Sequence, residues 1–397
     1  MKDVALDIPA VQRALRTDGL DGWLLYDFHG SNPIAGRLAG LTGGGHMTTR
    51  RWFYLIPAAG EPRGVVHAIE RHNLDRLPGA KVVYAGRHQL EAALTQLLAG
   101  MSTVAMEYSA DCAIPYLSRL DAGTAESIRR RGVTIRSSGD LVQQFEAAWD
   151  EDQLASHRLA SEALYRIKDR AFAAVVQALK DGVTLTEFEL QQQMVRWFDD
   201  ERLETDSPPV VAIGGNAGDP HYLPSAIGSR PIVADEVLLL DLWGKQRDVP
   251  AVFADITWVG FTGRTVPSPV AEAFRAIVEA RDAAVTLVED AAGSGRDLRG
   301  WEIDQAARAV LIRAGYEDRI LHRTGHSLGE QVHGNGVHLD DFETHDDRRV
   351  LPGAGFTIEP GLYFETFGVR TEINMYRSSH AALVTGPRQM EIIRLVE

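Results

Sequence analysis

Five side chains that can bind metal ions lie in the last two-fifths of the chain. In order they are Asp241, Asp255, His326, Glu359 and Glu372, in the stretches LLLDLWG, VFADITWV, RTGHSLG, FTIEPGLY and GVRTEIN. Four carboxylates and one imidazole are enough to hold two divalent cations side by side. Such a pair can ionise water at neutral pH and stabilise a tetrahedral intermediate. This set of residues therefore indicates a hydrolase.

The two aspartates each interrupt a strongly apolar strand pattern. A carboxylate in such a strand is costly unless it is paired, hydrogen-bonded or bound to a metal. The segment KQRDVPA between the two strands is short enough for a hairpin, and antiparallel pairing would bring Asp241 and Asp255 to one face. The alternative is that both aspartates face solvent.

The other three candidates lie at glycine-bounded or strand positions. Glycines flank His326 and let the backbone approach a ligand closely, although a lone histidine here is also compatible with a structural role. Glu359 lies where a strand runs into a Pro-Gly turn, and Glu372 follows Arg370 by two residues. Oxygen-rich ligation with one imidazole suits Mn²⁺, Co²⁺ or Zn²⁺ better than copper or iron–sulfur chemistry. We expect two divalent ions, with Mn²⁺ favoured.

A competing motif surrounds Ser327. The segment Gly325–Gly329 matches G-x-S-x-G, the nucleophile elbow of serine hydrolases. That elbow requires a strand before the serine and a helix directly after it, and GEQVHGNGVH is a poor helix start. The triad could be completed by Asp340 or Asp341 with His345 or His380, but only by choice among many. The pattern leaves a serine hydrolase as a distant alternative.

Composition narrows the class of protein. The chain has 397 residues, 45% of them hydrophobic, and a net charge of -14. The acidic balance argues against nucleic acid as the main partner. The single cysteine, Cys112, excludes an intrachain disulfide and fits a cytoplasmic location. The N-terminus lacks the apolar core of a signal peptide, and no apolar run is long enough to predict a membrane span.

The elements that must position these residues fall into two regions. Residues 1–150 alternate strand and helix patterns and predict an α/β domain. In 151–397 strands and helices are grouped, which favours an α+β architecture. The charged segment AAWDEDQL (147–154) marks the predicted boundary. Thr184 and Glu187 form a T-x-x-E capping-box pattern that predicts a helix through Trp197.

The ordered set of five resembles that of the pita-bread-fold metallopeptidases. This family includes methionine aminopeptidase, Xaa-Pro aminopeptidase and Xaa-Pro dipeptidase (prolidase), and the GHSLG…VHG and TIEPG stretches carry most of the resemblance. Residues 151–397 resemble the pita-bread catalytic domain, and residues 1–150 resemble the creatinase-type N-terminal domain of the Xaa-Pro enzymes. The resemblance implies an α+β fold, a homodimer, and hydrolysis of Xaa-Pro dipeptides.

The resemblance also implies a role for each residue. Asp241 would bind one metal, His326 and Glu359 the other, and Asp255 and Glu372 both. Glu359 would act as general base and then acid, and His333 would stabilise the tetrahedral state. His221 would line the pocket. Arg370 would orient the last glutamate or hold a substrate carboxylate. Structural roles for His221 and Arg370 stay open from the residues alone.

Two departures from the family concern the pocket. The gap between Asp241 and Asp255 is longer than expected, and Ile373 follows Glu372 where related enzymes often have aspartate. The segment LTGGGHMTTRRWF (41–53) is compatible with two structures. One is a loop that excludes longer substrates, in which His46, Arg50 or Arg51 contacts a substrate carboxylate and Trp52 packs on proline. The other is an ordinary hairpin turn. Xaa-Pro aminopeptidase activity on longer peptides and a non-catalytic binding module are the remaining alternatives.

Overall fold

A computed structural model describes residues 6–42, 47–247 and 249–396. The chain divides into two compact units, Met1–Ala147 and Ala148–Glu397. In the described ranges we find no helix that combines the length and hydropathy needed to cross a bilayer. His46, a predicted substrate contact, lies outside these ranges.

The first unit is built on a six-stranded mixed sheet with the order β4-β3-β2-β1-β5-β6. Its strands are β1 (Gly22–Asp27), β2 (Trp52–Pro57), β3 (Arg63–His67), β4 (Ala80–Tyr84), β5 (Thr103–Met106) and β6 (Thr134–Ser137). Its helices are α1 (Ile8–Thr17), α2 (Pro33–Leu38), α3 (Arg87–Leu97), α4 (Ala122–Arg129) and α5 (Gly139–Val142). Alternate residues of β1 and β2 enter two different apolar clusters, so both faces of the sheet are covered.

Trp52 belongs to one of these clusters. It is 1% exposed, at the start of β2. A side chain buried in the core of its own unit cannot pack on a substrate proline. The alternative in which Trp52 packs on a substrate proline is therefore wrong, and the burial of Trp52 follows from the alternation of β2 across a sheet covered on both faces.

The second unit groups its helices and strands. Its helices are α6 (Glu151–Asp181), α7 (Glu187–Asp200), α8 (Ser268–Ser294) and α9 (Gly300–Arg313). Its strands are β7 (Leu203–Glu204), β8 (Val210–Ile213), β9 (Val237–Gln246), β10 (Ala254–Phe261), β11 (Gly355–Ile358), β12 (Gly361–Tyr363), β13 (Gly368–Arg370), β14 (Ile373–Arg377), β15 (Ala382–Val384) and β16 (Ile393–Arg394). Short helices cover Ala68–Glu70, Ala110–Cys112, Gln143–Ala147, Gly214–Gly218 and Glu317–Arg319.

The strands of the second unit form three separate pairing groups, namely β16-β10-β9-β7 with β8 on β9, β11-β14-β15, and β12-β13. Helices α6 and α7 share an apolar cluster with β8, β9 and β10. Helices α8 and α9 share another with β11 to β14. This grouping matches the α+β architecture expected from the sequence.

The N-cap of helix α7 lies two residues after the predicted one. The N-cap is Thr186, whose hydroxyl accepts a hydrogen bond from the Glu189 amide at 3.2 Å, while the Glu189 carboxylate accepts one from the Thr186 amide at 2.8 Å. The predicted capping box of Thr184 and Glu187 is therefore wrong. Glu187 is instead fully buried at the first helical position.

Strands β9 and β10 form the predicted antiparallel pair. Asp241 lies opposite Thr257, and Trp243 lies opposite Asp255. Directly opposed residues share a face of a sheet, and so do residues two apart along a strand. The register therefore places both aspartates on the same face, and most of their neighbours in the two strands are buried apolar residues.

Candidate metal centre

Three of the five predicted ligands lie within reach of a common ion. One ligand atom from each of Asp255, His326 and Glu372 lies within 4.8 Å of the others. The Nε2 atom of His326 is 3.6 Å from Asp255 Oδ2 and 3.5 Å from Glu359 Oε1. Four elements that are distant in sequence thus bring these side chains into one cluster.

The fifth residue, Asp241, joins this cluster through Thr257. The Thr257 hydroxyl is 2.7 Å from Glu372 Oε2 and 3.1 Å from Asp241 Oδ1. It also accepts a hydrogen bond from Arg370 Nε at 3.0 Å. One hydroxyl therefore lies between two of the carboxylates and fixes their separation.

The GHSLG segment runs beside β11, and this pairing positions His326. The His326 amide donates to Thr357 Oγ1 at 3.0 Å, and the Thr357 amide donates to the His326 carbonyl at 2.9 Å. A Cβ on Gly325 would lie 2.1 Å from the Thr357 carbonyl oxygen. Glycine is thus required at this position because the two backbones approach so closely.

Both glutamates lie in short breaks between strands. Glu359 follows β11, and its amide donates to the Thr324 carbonyl at 2.7 Å. Glu372 lies between β13 and β14, and its amide donates to the Thr257 carbonyl at 3.3 Å. The breaks let each carboxylate leave the strand direction and face the cluster.

The electrostatics of the cluster disfavour its own negative charge. Burial raises the pKa of Asp255 well above its usual range, and repulsion from Glu372 and Asp241 adds to this. Burial likewise raises the pKa of Glu372 well above its usual range, with repulsion from Glu359 and Asp241. Burial raises the pKa of Glu359 to about 7, against the opposing charge of Arg370. These carboxylates lack sufficient positive charge among them.

The donor set fits divalent cations. Oδ1 of Asp255 is buried and has no hydrogen-bond partner among the residues that the structure describes. Burial, with repulsion from His333, lowers the pKa of His326 well below its usual range, which leaves a neutral imidazole able to bind a metal. A bound cation would offset the repulsion among the carboxylates and provide a partner for Asp255 Oδ1. Which of the five bind metal stays a prediction.

The three further predicted site residues lie around this cluster. The rings of His333 and His326 are 4.4 Å apart at 82°. Burial lowers the pKa of His333 to about 4 and the pKa of His322 to about 3. The exposed His221 makes a smaller electrostatic contribution to both shifts. His221 is therefore an electrostatic neighbour of both rings. Their roles toward a substrate stay predictions.

Arg370 is 5% exposed and uses its guanidinium within the protein. Nη2 donates to Asp241 Oδ2 at 2.5 Å, Nε to Thr257 Oγ1 at 3.0 Å and Nη1 to the Tyr363 hydroxyl at 3.0 Å. These three bonds favour the carboxylate-orienting role over the binding of a substrate carboxylate, although the carboxylate that they orient is Asp241.

Sequence reasoning missed four residues that fix the cluster. Besides Thr257, they are Asn374, Tyr363 and His322. The Asn374 side chain accepts from the Asp255 amide at 3.0 Å. His322 bonds the Tyr363 hydroxyl at 2.7 Å and the Arg323 carbonyl at 2.7 Å, so its Nδ1 carries the proton. A signal existed for Thr257 alone, because it lies two residues from Asp255 on the same face of β10.

The serine-nucleophile alternative is not compatible with the fold. Ser327 is 3% exposed, and its hydroxyl accepts from the Gly336 amide at 3.0 Å. Bends rather than a helix follow it. His338 Nδ1 accepts from the Ser327 amide at 3.1 Å, so this contact does not activate the hydroxyl. A nucleophile elbow needs an exposed serine directly before a helix.

Comparison with known proteins identifies the family. The sequence pattern of metallopeptidase family M24 matches residues 161–384, more than half of the chain. The chain belongs to this family. It is 29% identical over 246 residues to an Xaa-Pro dipeptidase of Lactobacillus delbrueckii subsp. lactis, and the match covers 59% of this chain and 58% of that enzyme. The chain thus spans less than two thirds of this relative's length. The predicted family, the pita-bread metallopeptidases, is confirmed.

Solved structures share the fold of the whole chain. Dipeptidase PepE from Mycobacterium ulcerans matches with a TM-score of 0.70 and 22% identity, over 98% of this chain and 97% of that one. A prolidase from Thermococcus sibiricus matches with a TM-score of 0.62 and 20% identity, over 98% of each chain. These likenesses confirm the predicted fold class, a pita-bread domain after a smaller α/β creatinase-type domain.

Proposed function

We propose that this protein is an Xaa-Pro dipeptidase that hydrolyses the bond before proline in dipeptides with the help of two divalent metal ions. The main support is the convergence of four carboxylates and one imidazole in a buried cluster with an unpaired Asp255 oxygen. The relative named an Xaa-Pro dipeptidase supports the substrate class.

Five residues would hold the two ions. We propose that Asp241 binds one, that His326 and Glu359 bind the other, and that Asp255 and Glu372 bind both. When bound, two such ions supply a water molecule ionised at neutral pH and polarise the scissile carbonyl. We favour Mn²⁺, with Co²⁺ or Zn²⁺ as alternatives.

The chain's own side chains would move protons and orient the peptide. Glu359 would accept a proton from the water molecule and return it during the reaction. His333 lies beside His326 and would donate a hydrogen bond toward the scissile carbonyl. His221 would line the substrate side of the site. Arg370 would keep the Asp241 carboxylate in place through its short ion pair.

The proposal also covers the domain boundaries, the oligomeric state and the cellular location. We propose that residues 1–150 form the creatinase-like domain and residues 151–397 the catalytic domain, close to the division between the two compact units. We also propose a homodimer and a cytoplasmic location. The single cysteine supports the reducing compartment.

The first experiment compares peptides in the presence and absence of metal. We expect hydrolysis of Ala-Pro that chelator abolishes and Mn²⁺ restores, with longer Xaa-Pro peptides cleaved more slowly. Faster cleavage of the longer peptides would instead favour an Xaa-Pro aminopeptidase. Full activity in chelator would contradict a metallopeptidase mechanism, and loss of that chelator-resistant activity in Ser327→Ala would assign it to the serine.

A second prediction concerns Thr257. Replacing Thr257 by Val keeps the shape of the side chain and removes the hydroxyl between Asp241 and Glu372. Because such outer partners orient metal ligands, we expect metal affinity to fall by about 10–100-fold. Isothermal titration calorimetry of the metal-free protein with Mn²⁺ measures this change in affinity.

Thr262→Val is the matched control. Thr262 is also fully buried, and its hydroxyl donates to the Val233 carbonyl at 2.6 Å, apart from the cluster. This variant should lose stability and keep its metal affinity. Equal affinities in Thr257→Val and the wild type would show that the hydroxyl does not position the ligands.

A further inference from the structure

Glu187 is a buried carboxylate that the proposed chemistry does not use. It is fully buried at the first turn of α7, where the helix dipole favours a negative charge. The cap of this helix is formed by Thr186 and Glu189, so Glu187 has no capping role. Burying a carboxylate is costly unless several donors satisfy it.

The donors that satisfy it belong to the segment 213–230, here called the His221 loop. Glu187 Oε1 accepts from the Ile213 amide at 2.8 Å and from Asn216 Nδ2 at 3.0 Å. Glu187 Oε2 accepts from the Tyr222 hydroxyl at 2.5 Å and from the Arg230 amide at 3.2 Å. One side chain thus binds both ends of the loop and two points within it.

His221 lies directly beside one of these points. Its neighbour Tyr222 donates to Glu187, and its own amide donates to Asp219 Oδ1 at 3.0 Å. The exposed His221 side chain is therefore carried by a loop whose buried anchor is Glu187.

The same loop packs against the β12–β13 hairpin that carries Tyr363 and Arg370. A Cβ on Gly218 would lie 2.1 Å from the Phe364 carbonyl oxygen, and one on Gly368 would lie 1.8 Å from the Ala217 carbonyl oxygen. Backbones this close cannot move independently. The hairpin thus limits the movement of the loop at Ala217 and Gly218.

We propose that Glu187 is a positioning residue that holds the His221 loop in the conformation required for substrate binding. This inference rests on the proposed peptidase function. Loss of Glu187 should therefore weaken substrate binding and leave metal binding unchanged. The reason is that the described hydrogen bonds of Glu187 are to the loop, and none is to the five predicted ligands.

The test uses Glu187→Gln with Glu189→Gln as the matched control. An amide at position 187 places an NH₂ group against donors, so the loop loses at least one hydrogen bond. Glu189 lies two residues away in the same helix and contacts only its own cap in the described hydrogen bonds. We expect Glu187→Gln to lower kcat/KM by about 10–100-fold, mainly through KM, with unchanged metal content. Glu189→Gln should stay within about twofold of the wild type.

Two readouts do not require activity. Amide hydrogen exchange should accelerate at Ile213 and Arg230 in Glu187→Gln and remain unchanged in Glu189→Gln. The imidazole NMR resonance of His221, assigned with His221→Gln, should shift in the first variant alone. If Glu187→Gln does not fold, Tyr222→Phe removes a single hydrogen bond to the same carboxylate and should raise KM by about fivefold.

The outcomes separate this inference from the proposed function. An active wild type with unchanged KM in Glu187→Gln and Tyr222→Phe would overturn the positioning role. So would unchanged exchange and an unchanged His221 resonance. A wild type that cleaves no Xaa-Pro peptide would overturn the proposed function, and in that case the exchange and NMR results alone decide whether Glu187 holds the loop.

Discussion

Replacing Glu359 by Gln should lower kcat for Ala-Pro by about 10²–10⁴-fold, the range associated with losing a general acid–base group. Glutamine retains an oxygen that can face a cation but cannot accept and return a proton. Glu359 suits that task because its carboxylate lies within the cluster, with Oε1 3.5 Å from His326 Nε2. Steady-state kinetics at saturating Mn²⁺, with the metal content of each sample determined, measure the effect.

The control for this variant is Glu289→Gln. Glu289 is exposed on α8 and pairs with Arg388 at 3.5 Å, on a different element from the cluster. Exposed pairs of this kind contribute little, so kcat should remain within about twofold of the wild type. A Glu359→Gln enzyme with two bound ions and full kcat would exclude Glu359 as the proton carrier.

Removing divalent ions should destabilise the protein strongly. Burial raises the pKa of three of the carboxylates, Asp255, Glu372 and Glu359, and a bound cation would supply compensating charge only in the folded state. With Mn²⁺ at about 100 times its Kd, binding adds roughly 2.7 kcal/mol. At about 2–4 °C per kcal/mol, the Tm should rise by roughly 5–10 °C. Calorimetry in chelator and in Mn²⁺ measures this difference.

Asp255→Asn should separate metal binding from folding. This variant removes the charge of the residue whose oxygen has no partner among the described residues, so its Tm in chelator should equal or exceed that of the wild type. Its response to Mn²⁺ should disappear. Asp27→Asn is the control, because Asp27 is also buried but accepts hydrogen bonds from the Gly30 and Asn32 amides. It should lower the Tm and keep the Mn²⁺ response.

Asp241 and Asp255 could be predicted as site residues because a carboxylate in an apolar strand costs free energy unless it has a polar or metal partner. Asp241 and Asp255 interrupt apolar strands, and the short connection between those strands predicts the antiparallel pair that the fold contains. The pairing of His326 with β11 could not be predicted, because it joins a glycine-rich segment to a strand that comes about thirty residues later and leaves no periodic signal.

The predicted start of helix α7 was wrong because the local sequence pattern allows two different N-caps. The run T-L-T-E-F-E contains two T-x-x-E patterns, one from Thr184 to Glu187 and one from Thr186 to Glu189. Sequence alone does not say which glutamate reaches back to the helix start, and burial of Glu187 against the His221 loop decides it. Likewise, Tyr363 is an ordinary strand residue by composition, and only the fold places its hydroxyl group beside Arg370.

The most direct test of the dinuclear centre is an anomalous difference map from crystals of the Mn²⁺-loaded protein, recorded at the manganese absorption edge. The proposed function predicts two peaks about 3.5–4 Å apart, with Asp255 and Glu372 contacting both. A single peak, or two peaks that share neither carboxylate, would contradict it.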